Sequence, residues 1–182
     1  MSEERTLESK LVYEGREVKL RLDTVVLPSG RKTTREVVEH VDCVAVVAID
    51  SEDNVLLVRQ FRKPAEKVLL EIPAGGIEPG EQPIQCALRE LEEETGYIAG
   101  KLERLGGFYS SPGYSNEFLH LFLATELQRG RRGAKEDEAI EVVPIPLAEI
   151  ANLISSGEIC DAKSIVGFFT LLLRYRGANP FA

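Results

Sequence analysis

The sequence has no apolar run long enough to cross a membrane. Its longest uninterrupted stretch, IVGFFTLLL at 165–173, is about half of the ~20 residues that a transmembrane helix needs. The first ten residues, MSEERTLESK, contain no apolar segment behind a basic end, so they do not resemble a secretory signal. We therefore expect a cytoplasmic protein with no membrane partner.

Cysteine is also scarce, and negative charges outnumber positive ones. Cys43, Cys86 and Cys160 lie far apart without CxxC or Cys/His spacing, which argues against a disulfide framework and a zinc site. The net charge of -8 opposes binding to nucleic acid, which relies on basic surface. We expect no nucleic-acid partner, and an anionic substrate would need metal ions and a few well-placed arginines to neutralise it.

The composition and its patterning predict one globular α/β protein. With 43% apolar and 29% charged residues, 182 residues suit one core, or one domain with a small appendage. Alternation and turn signals predict an antiparallel strand unit ahead of the main domain, with the boundary between residues 40 and 41. Strands are predicted at 43–50 and 55–61 as a hairpin, and at 67–74, 102–109, 117–124 and 140–145. Because strands and helices do not alternate regularly, and two helices close the chain, we expect a mixed sheet flanked by helices.

Between Pro83 and Thr95 the pattern changes to that of an amphipathic helix. Pro83 is tolerated in a first turn, and Gly96 follows directly after the last periodic residue. The apolar residues fall at i, i+3, i+4 and i+7 and form one stripe. They are Ile84, Ala87, Leu88 and Leu91.

Three glutamates of this helix are spaced to converge. Glu90, Glu93 and Glu94 lie at i, i+3 and i+4, and we expect them on the side opposite the apolar stripe. Like charges at this spacing cost about a few tenths of a kcal/mol per pair. A solvated acidic face is the plain alternative, but the preceding PAGG, residues 73–76, allows close backbone approach and favours a phosphate site. Three convergent carboxylates suit a hard divalent cation such as Mg²⁺.

The segment from Gly75 to Tyr97 resembles the signature of the Nudix hydrolases without departure. Five residues separate Gly75 from Glu81, and seven more separate Glu81 from Arg89. Arg89 begins the run Arg-Glu-Leu-x-Glu-Glu-x-Gly-Tyr, which ends at Tyr97. The resemblance implies an α/β/α sandwich with a mixed sheet, a loop and helix that bind Mg²⁺ or Mn²⁺, and hydrolysis of a substituted nucleoside diphosphate. It also implies the metal ligands and the catalytic group. These are Glu90 and Glu94, with Glu93 as a ligand or a base through water, and the carbonyl of Ala74; Arg89 and Glu81 would pair.

Residues outside the signature resemble the ADP-ribose pyrophosphatase subgroup. Pro112 lies sixteen residues after Gly96 in an SPG context, although Ser-Pro-Gly is also an ordinary turn. REVVEH at 35–40 and VRQFRKP at 58–64 resemble the subgroup's adenine-recognition and phosphate-contacting segments. The implied substrate-binding residues are Arg35, Glu36, Arg62, Ser111, Pro112 and Glu117.

A long polar segment, 126–139, is expected to form an exposed loop. Its KEDEAIEV resembles the subgroup's loop that carries a catalytic glutamate, which corresponds to Glu138 with Glu136 as the rival. The resemblance further implies a homodimer whose N-terminal strands contribute to the partner's pocket. The alternatives to ADP-ribose hydrolysis are another diphosphate substrate, such as GDP-mannose, FAD or NADH, and a module that binds ADP-ribose without cleaving it.

Overall fold

A computed structural model describes residues 3–130 and 140–175. Ten strands and three helices lie within these residues. The first six strands are β1 (Arg5–Glu14), β2 (Lys19–Val26), β3 (Lys32–Glu39), β4 (Cys43–Ala48), β5 (Asn54–Arg62) and β6 (Lys67–Glu71). They are followed by β7 (Ala74–Gly76), α1 (Pro83–Thr95), β8 (Tyr97–Tyr109), β9 (Phe118–Arg129), β10 (Glu141–Pro146), α2 (Ile150–Ser156) and α3 (Ala162–Tyr175).

The chain forms two compact units. The first contains the residues up to 42 together with Tyr109–Phe118, and the second contains Cys43–Phe108 and the residues from Leu119 onward. In the first unit, β1, β2 and β3 form an antiparallel sheet in that order. Two turns connect these strands: the Gly15 N–H donates to the Val18 carbonyl in the first, and Gly30 adopts a φ of 82° in the second.

The second unit is built around a mixed four-stranded sheet in the order β7-β4-β9-β8. Strand β4 runs parallel to β9 and antiparallel to β7. A three-stranded sheet, β10-β5-β6, is antiparallel. All six residues of β4 are buried, as expected for a strand covered on both faces.

Alternate residues of β4 belong to two separate apolar cores. Ala45 and Val47 pack in the core that includes Phe168 of α3, whereas Val44 and Val46 pack in the core that includes Leu91 of α1. Since successive side chains of a strand point to opposite faces, α1 covers one face and α3 the other. The predicted α/β/α arrangement with a mixed sheet, preceded by an antiparallel β unit, is confirmed.

Two strand predictions need correction. The expected hairpin of 43–50 with 55–61 is wrong, because β4 and β5 belong to different sheets; between them lies a short turn with the bridge Ile49–Val55 and a hydrogen bond from the Asp50 N–H to the Asn54 carbonyl. The expected strand 67–74 is divided into β6 and β7, which also lie in different sheets. The break falls at Ile72 and Pro73; proline has no N–H for a strand ladder, and the N–H of Ile72 donates to Ser164 Oγ instead.

Helix α1 has the predicted bounds. Pro83 occupies its first turn, and Gly96 ends it in a left-handed conformation with a φ of 72°. Its first turn is closed by reciprocal hydrogen bonds between Gln82 and Gln85. Residues 126–129 of the predicted loop belong instead to β9, which continues to Arg129. Among the described residues, every helix is too short or too polar to span a lipid bilayer.

Candidate active site

Arg89 of α1 joins the segment before the helix to the helix itself. Its Nε and Nη2 donate to the Glu81 carboxylate at 2.8 and 2.9 Å, and Nη2 also donates to the Gly76 carbonyl at 3.1 Å. The same guanidinium contacts Glu90 and donates to Glu93 Oε2 at 3.3 Å. The predicted pairing of Arg89 with Glu81 is therefore confirmed. Arg89 also offsets part of the repulsion among the clustered carboxylates.

The charge states of this pair are strongly fixed. Hydrogen bonds from Arg89 lower the pKa of Glu81 to about 2. Hydrogen bonding to Glu81 likewise raises the pKa of Arg89 above its ordinary value. Both groups are consequently charged at neutral pH, and the pair holds the loop at the start of α1.

The acidic cluster does not lie on the side of α1 that the sequence predicted. Glu90 and Glu94 are only 9% and 6% exposed, on the buried face with Leu91, whereas Ile84 and Leu88 are 49% and 39% exposed. Helix α1 packs on β7 as well as on β4, so the side of the helix that carries Glu90 and Glu94 is buried too. The expectation that the acids lie opposite the apolar stripe is wrong.

Glu94 is a buried carboxylate with a backbone donor. The Ala74 N–H donates to Glu94 Oε2 at 3.1 Å. Burial raises the pKa of Glu94 to about 8, and the charge of Glu90 adds to the increase; the Ala74 hydrogen bond and the charges of Arg62 and Lys163 oppose it. A second negative charge beside Glu94 is therefore costly unless a cation is close by.

Gly75 lies directly against the Glu90 carboxyl group. A Cβ added at Gly75 would overlap the carboxyl carbon and both of its oxygens. Glycine is thus required for the backbone of β7 to approach this carboxylate. The close approach keeps the carboxylates of α1 beside the backbone at Ala74–Gly76.

These residues fit a divalent cation. Arg89 contacts both Glu90 and Glu93, Gly75 lies against the Glu90 carboxyl group, and the Ala74 N–H donates to Glu94, so each of the three carboxylates has a contact in this part of α1 and β7. Oxygen-only donor sets of this kind suit hard cations such as Mg²⁺ and Mn²⁺. The carbonyl of Ala74 as a further ligand stays a prediction.

Arg62, the predicted phosphate contact, lies at the end of β5 and is paired with Glu71. Its Nη2 donates to Glu71 Oε2 at 2.6 Å and its Nε donates to the same oxygen at 3.0 Å. Glu71 also accepts from Lys163 Nζ at 2.8 Å. The sequence analysis predicted neither Glu71 nor Lys163 as part of the site. The position of Glu71 inside the apolar run KVLLEIPA, residues 67–74, was a usable signal for it. No sequence signal pointed to Lys163.

In the first unit, Arg35 and Glu36 are consecutive residues of β3. The Nε and Nη2 of Arg35 donate to the Glu4 carboxylate at 3.0 and 2.6 Å. Consecutive strand residues project from opposite faces of a sheet, so Arg35 and Glu36 leave β3 on different sides. Their role toward a nucleotide base stays a prediction.

Ser111, Pro112 and Glu117 belong to the segment of the first unit that follows β8. The Ser111 carbonyl accepts hydrogen bonds from the backbone N–H groups of Tyr114 and Ser115, so the SPG sequence forms a turn. One carboxylate oxygen of Glu117 lies 3.3 Å from His40 Nδ1. Substrate contacts by Ser111, Pro112 and Glu117 stay predictions.

Glu138 and Glu136 lie outside the described residues. The described chain before them ends beside the C-terminal end of α1, where Gly130 N–H donates to the Gly96 carbonyl at 2.8 Å. The Arg129 guanidinium lies 4.5 Å from the centre of the Tyr97 ring. Strand β9 is thereby attached to the helix that carries the acidic cluster.

The NUDIX domain family model matches residues 39–165, and this range includes the acidic cluster and most of the second unit. The chain belongs to the Nudix family. A second family model, the nucleoside diphosphate sugar hydrolase N-terminal domain, matches residues 4–38. Nudix hydrolases generally depend on divalent metal ions, in agreement with the oxygen donors on α1.

Several known proteins are similar to this chain over nearly its whole length. An ADP-ribose pyrophosphatase of Bacillus subtilis is 43% identical over 174 residues, which cover 94% of each protein. A methanol dehydrogenase activator of Bacillus methanolicus is 42% identical over 174 residues, again 94% of each. The crystal structure of an ADP compounds hydrolase superimposes with a TM-score of 0.85 at 23% identity over 97% of each chain, which supports the fold.

We expect the Gly75→Ala substitution to weaken metal binding in this Nudix protein more than it affects folding. The added Cβ displaces the Glu90 carboxylate, and changes beside metal ligands typically cost about 10- to 100-fold in affinity. Calorimetric titration with Mn²⁺, together with thermal unfolding in EDTA, measures both effects.

The matched control is Gly167→Ala on α3. There the added Cβ would lie 3.0 Å from Val47 Cγ2 and 3.2 Å from Ile72 Cδ1, in the apolar core. This variant should change the unfolding temperature and leave Mn²⁺ affinity within about twofold, because it touches no carboxylate of the cluster. Unchanged Mn²⁺ affinity in Gly75→Ala would contradict the assignment of Glu90.

Proposed function

We propose that this protein hydrolyses the diphosphate bond of ADP-ribose to give AMP and ribose 5-phosphate. The observation that carries the proposal is the cluster of Glu90, Glu93 and Glu94 on α1 beside Gly75. The two family models and the similarity to an ADP-ribose pyrophosphatase over 94% of the chain support the substrate class.

Glu90, Glu93, Glu94 and the Ala74 carbonyl would hold Mg²⁺ or Mn²⁺. The bound cation supplies charge neutralisation for the diphosphate and lowers the pKa of water, so that hydroxide is available near neutral pH. The chain's own contribution is a set of carboxylates of which Glu90 and Glu94 are buried, on a helix that packs against β7.

The remaining residues orient the substrate and move the proton. Arg62 would bind a phosphate oxygen, because guanidinium forms directed hydrogen bonds with phosphate. Glu138, or Glu93 through water, would accept the proton as the water oxygen bonds to phosphorus and one P–O bond of the diphosphate breaks. Arg35, Glu36, Ser111, Pro112 and Glu117 would contact the nucleoside and ribose ends.

The proposal extends to assembly and location. We assign the protein as a cytoplasmic homodimer, in which the N-terminal strands of one subunit complete the pocket of the other. The exposed strand β1 supports this assignment, since all ten of its residues are exposed in the single chain. The net charge of -8 favours a small-molecule substrate over nucleic acid.

A substrate panel tests the function. Purified protein is incubated with Mg²⁺ or Mn²⁺ and with ADP-ribose, GDP-mannose, FAD or NADH, and phosphate is measured after phosphatase treatment. We expect ADP-ribose to have the highest kcat/KM and EDTA to abolish turnover. Turnover of GDP-mannose well above ADP-ribose would overturn the substrate assignment, and turnover of none with retained ADP-ribose binding would indicate a binding module.

A further inference from the structure

A buried carboxylate, Glu71 at the end of β6, is shared by two cations. Its side chain is only 2% exposed, and Oε2 accepts from Arg62 Nη2 at 2.6 Å, from Arg62 Nε at 3.0 Å and from Lys163 Nζ at 2.8 Å. Burial alone would raise the pKa of Glu71, but the hydrogen bond from Arg62 and the charge of Lys163 lower it below its ordinary value. The carboxylate form of Glu71 is therefore favoured by two cationic partners.

Lys163 is held in place by the start of α3. Its Nζ also donates to Asp161 Oδ2 at 2.9 Å, and the same oxygen accepts the backbone N–H of Ser164 at 3.1 Å. Ser164 Oγ in turn accepts the N–H of Ile72, the residue that follows Glu71. The first turn of α3 is thus bonded to the chain at Glu71, and Lys163 has little freedom to move.

One nitrogen of the Arg62 guanidinium takes no part in this network. Nε and Nη2 both donate to Glu71, whereas Nη1 forms no hydrogen bond within the part of the chain that the structure describes. The Arg62 side chain is 38% exposed, so part of it is in contact with solvent. The charge of Arg62 also acts on Glu94 and opposes the rise of the Glu94 pKa that burial causes.

The charges of the four side chains in this network sum to zero. Arg62 and Lys163 supply two positive charges, and Glu71 and Asp161 supply two negative ones. Arg62 is the most exposed of the four, at 38% against 14% or less for the others. Without Lys163 the cluster would carry one net negative charge, and Arg62 would be the only cation on a buried carboxylate.

We propose that Lys163 is a positioning residue for diphosphate binding: it shares Glu71 with Arg62 and so keeps the Nη1 edge of Arg62 directed outward and its charge available to the substrate. The inference rests on the proposed function, because Arg62 is assigned there as the phosphate contact. It adds a residue from α3, which carries none of the predicted site residues.

A double-mutant cycle with ADP-ribose tests the proposal. We expect Lys163→Met to raise KM and the dissociation constant for ADP-ribose, measured calorimetrically in EDTA, by about tenfold, with kcat within about threefold. In the Arg62→Ala background the same substitution should change both constants by less than about twofold, because Lys163 acts through Arg62. Lys163→Arg should restore binding to within about threefold, since it keeps the charge.

Two comparisons keep the result interpretable. Lys63→Met removes the exposed lysine next to Arg62, whose ion pair is with Glu66, and should leave KM within about twofold. If Lys163→Met does not fold, judged by thermal unfolding, Lys163→Gln is used in the same cycle. Equal losses from the lysine substitution with and without Arg62, or no rescue by Lys163→Arg, would overturn the proposal.

The two levels of failure are distinguishable. A wrong function appears in the wild-type protein, as absent turnover and binding of every diphosphate in the panel. A wrong role for Lys163 appears only in the comparison between variants, with wild-type activity present. If the wild type prefers another diphosphate, the cycle is run with that compound, because the inference concerns the diphosphate group.

Discussion

Glu90→Gln and Glu94→Gln are each expected to reduce kcat by about 1000-fold, which corresponds to the several kcal/mol that a catalytic cation contributes. Each substitution removes one charged oxygen donor from the cluster and keeps the size of the side chain. Steady-state kinetics with saturating Mg²⁺ measures the loss, and titration with Mn²⁺ shows whether the cation is bound less tightly.

Both variants should remain folded. Glu94→Gln retains an oxygen that can accept the Ala74 N–H, and it replaces a buried carboxyl that is costly to ionise. We therefore expect its unfolding temperature in EDTA to be no lower than that of the wild type. Circular dichroism at ambient temperature that shows an unfolded variant would contradict a metal-binding assignment and point to a structural role.

Glu92→Gln is the matched control for these substitutions. It makes the same chemical change on the same helix, but Glu92 is not among the three glutamates spaced i, i+3 and i+4. We expect its kcat to stay within about threefold of the wild type, because it is not one of the assigned metal ligands. A loss as large as that of Glu90→Gln would mean that total charge on α1, rather than placed ligands, controls activity.

Glu138→Gln is expected to lower kcat by about 100- to 10,000-fold, the usual contribution of a general base. KM should change much less, because the residue acts on the attacking water and not on the bound ground state. Stopped or continuous assays of ADP-ribose turnover at saturating substrate measure this difference.

Glu136→Gln is the control for Glu138, since it removes an equivalent charge two residues away. We expect it to leave kcat within about threefold. If instead Glu138→Gln has no effect and Glu136→Gln does, the register of the resemblance is wrong by two residues. If neither changes kcat, Glu93 becomes the candidate base.

Local signals predicted helix α1 well, and tertiary packing decided how it is rotated. Pro83 and Gly96 define its ends through backbone chemistry that is complete within a few residues. The direction of its buried face depends instead on what lies beside it, and β7 brings Ala74 and Gly75 against Glu94 and Glu90. The hydrophobic stripe alone therefore gave the wrong side for the carboxylates.

For the strands, too, local signals predicted the elements, and tertiary packing decided how they pair. The apolar runs that became β4, β5 and β6 were recognisable from their composition. Their pairing was not, since β4 pairs with β9, far along the chain, and the strand predicted at 67–74 changes sheet at Pro73. Strand pairing over long sequence distances is selected by burial of whole faces, which a local pattern does not contain.

The sequence by itself determined the spacing of Gly75, Glu81, Arg89 and the three glutamates, because helix periodicity and backbone flexibility act over a few residues. Only the tertiary structure decided that Lys163 and Arg62 share Glu71, and that Ile72 bonds to Ser164 across 92 residues of sequence. These contacts join elements that come together only when the two apolar cores form on either side of β4. Arg62, Lys163 and Glu71 therefore become partners only in the folded chain.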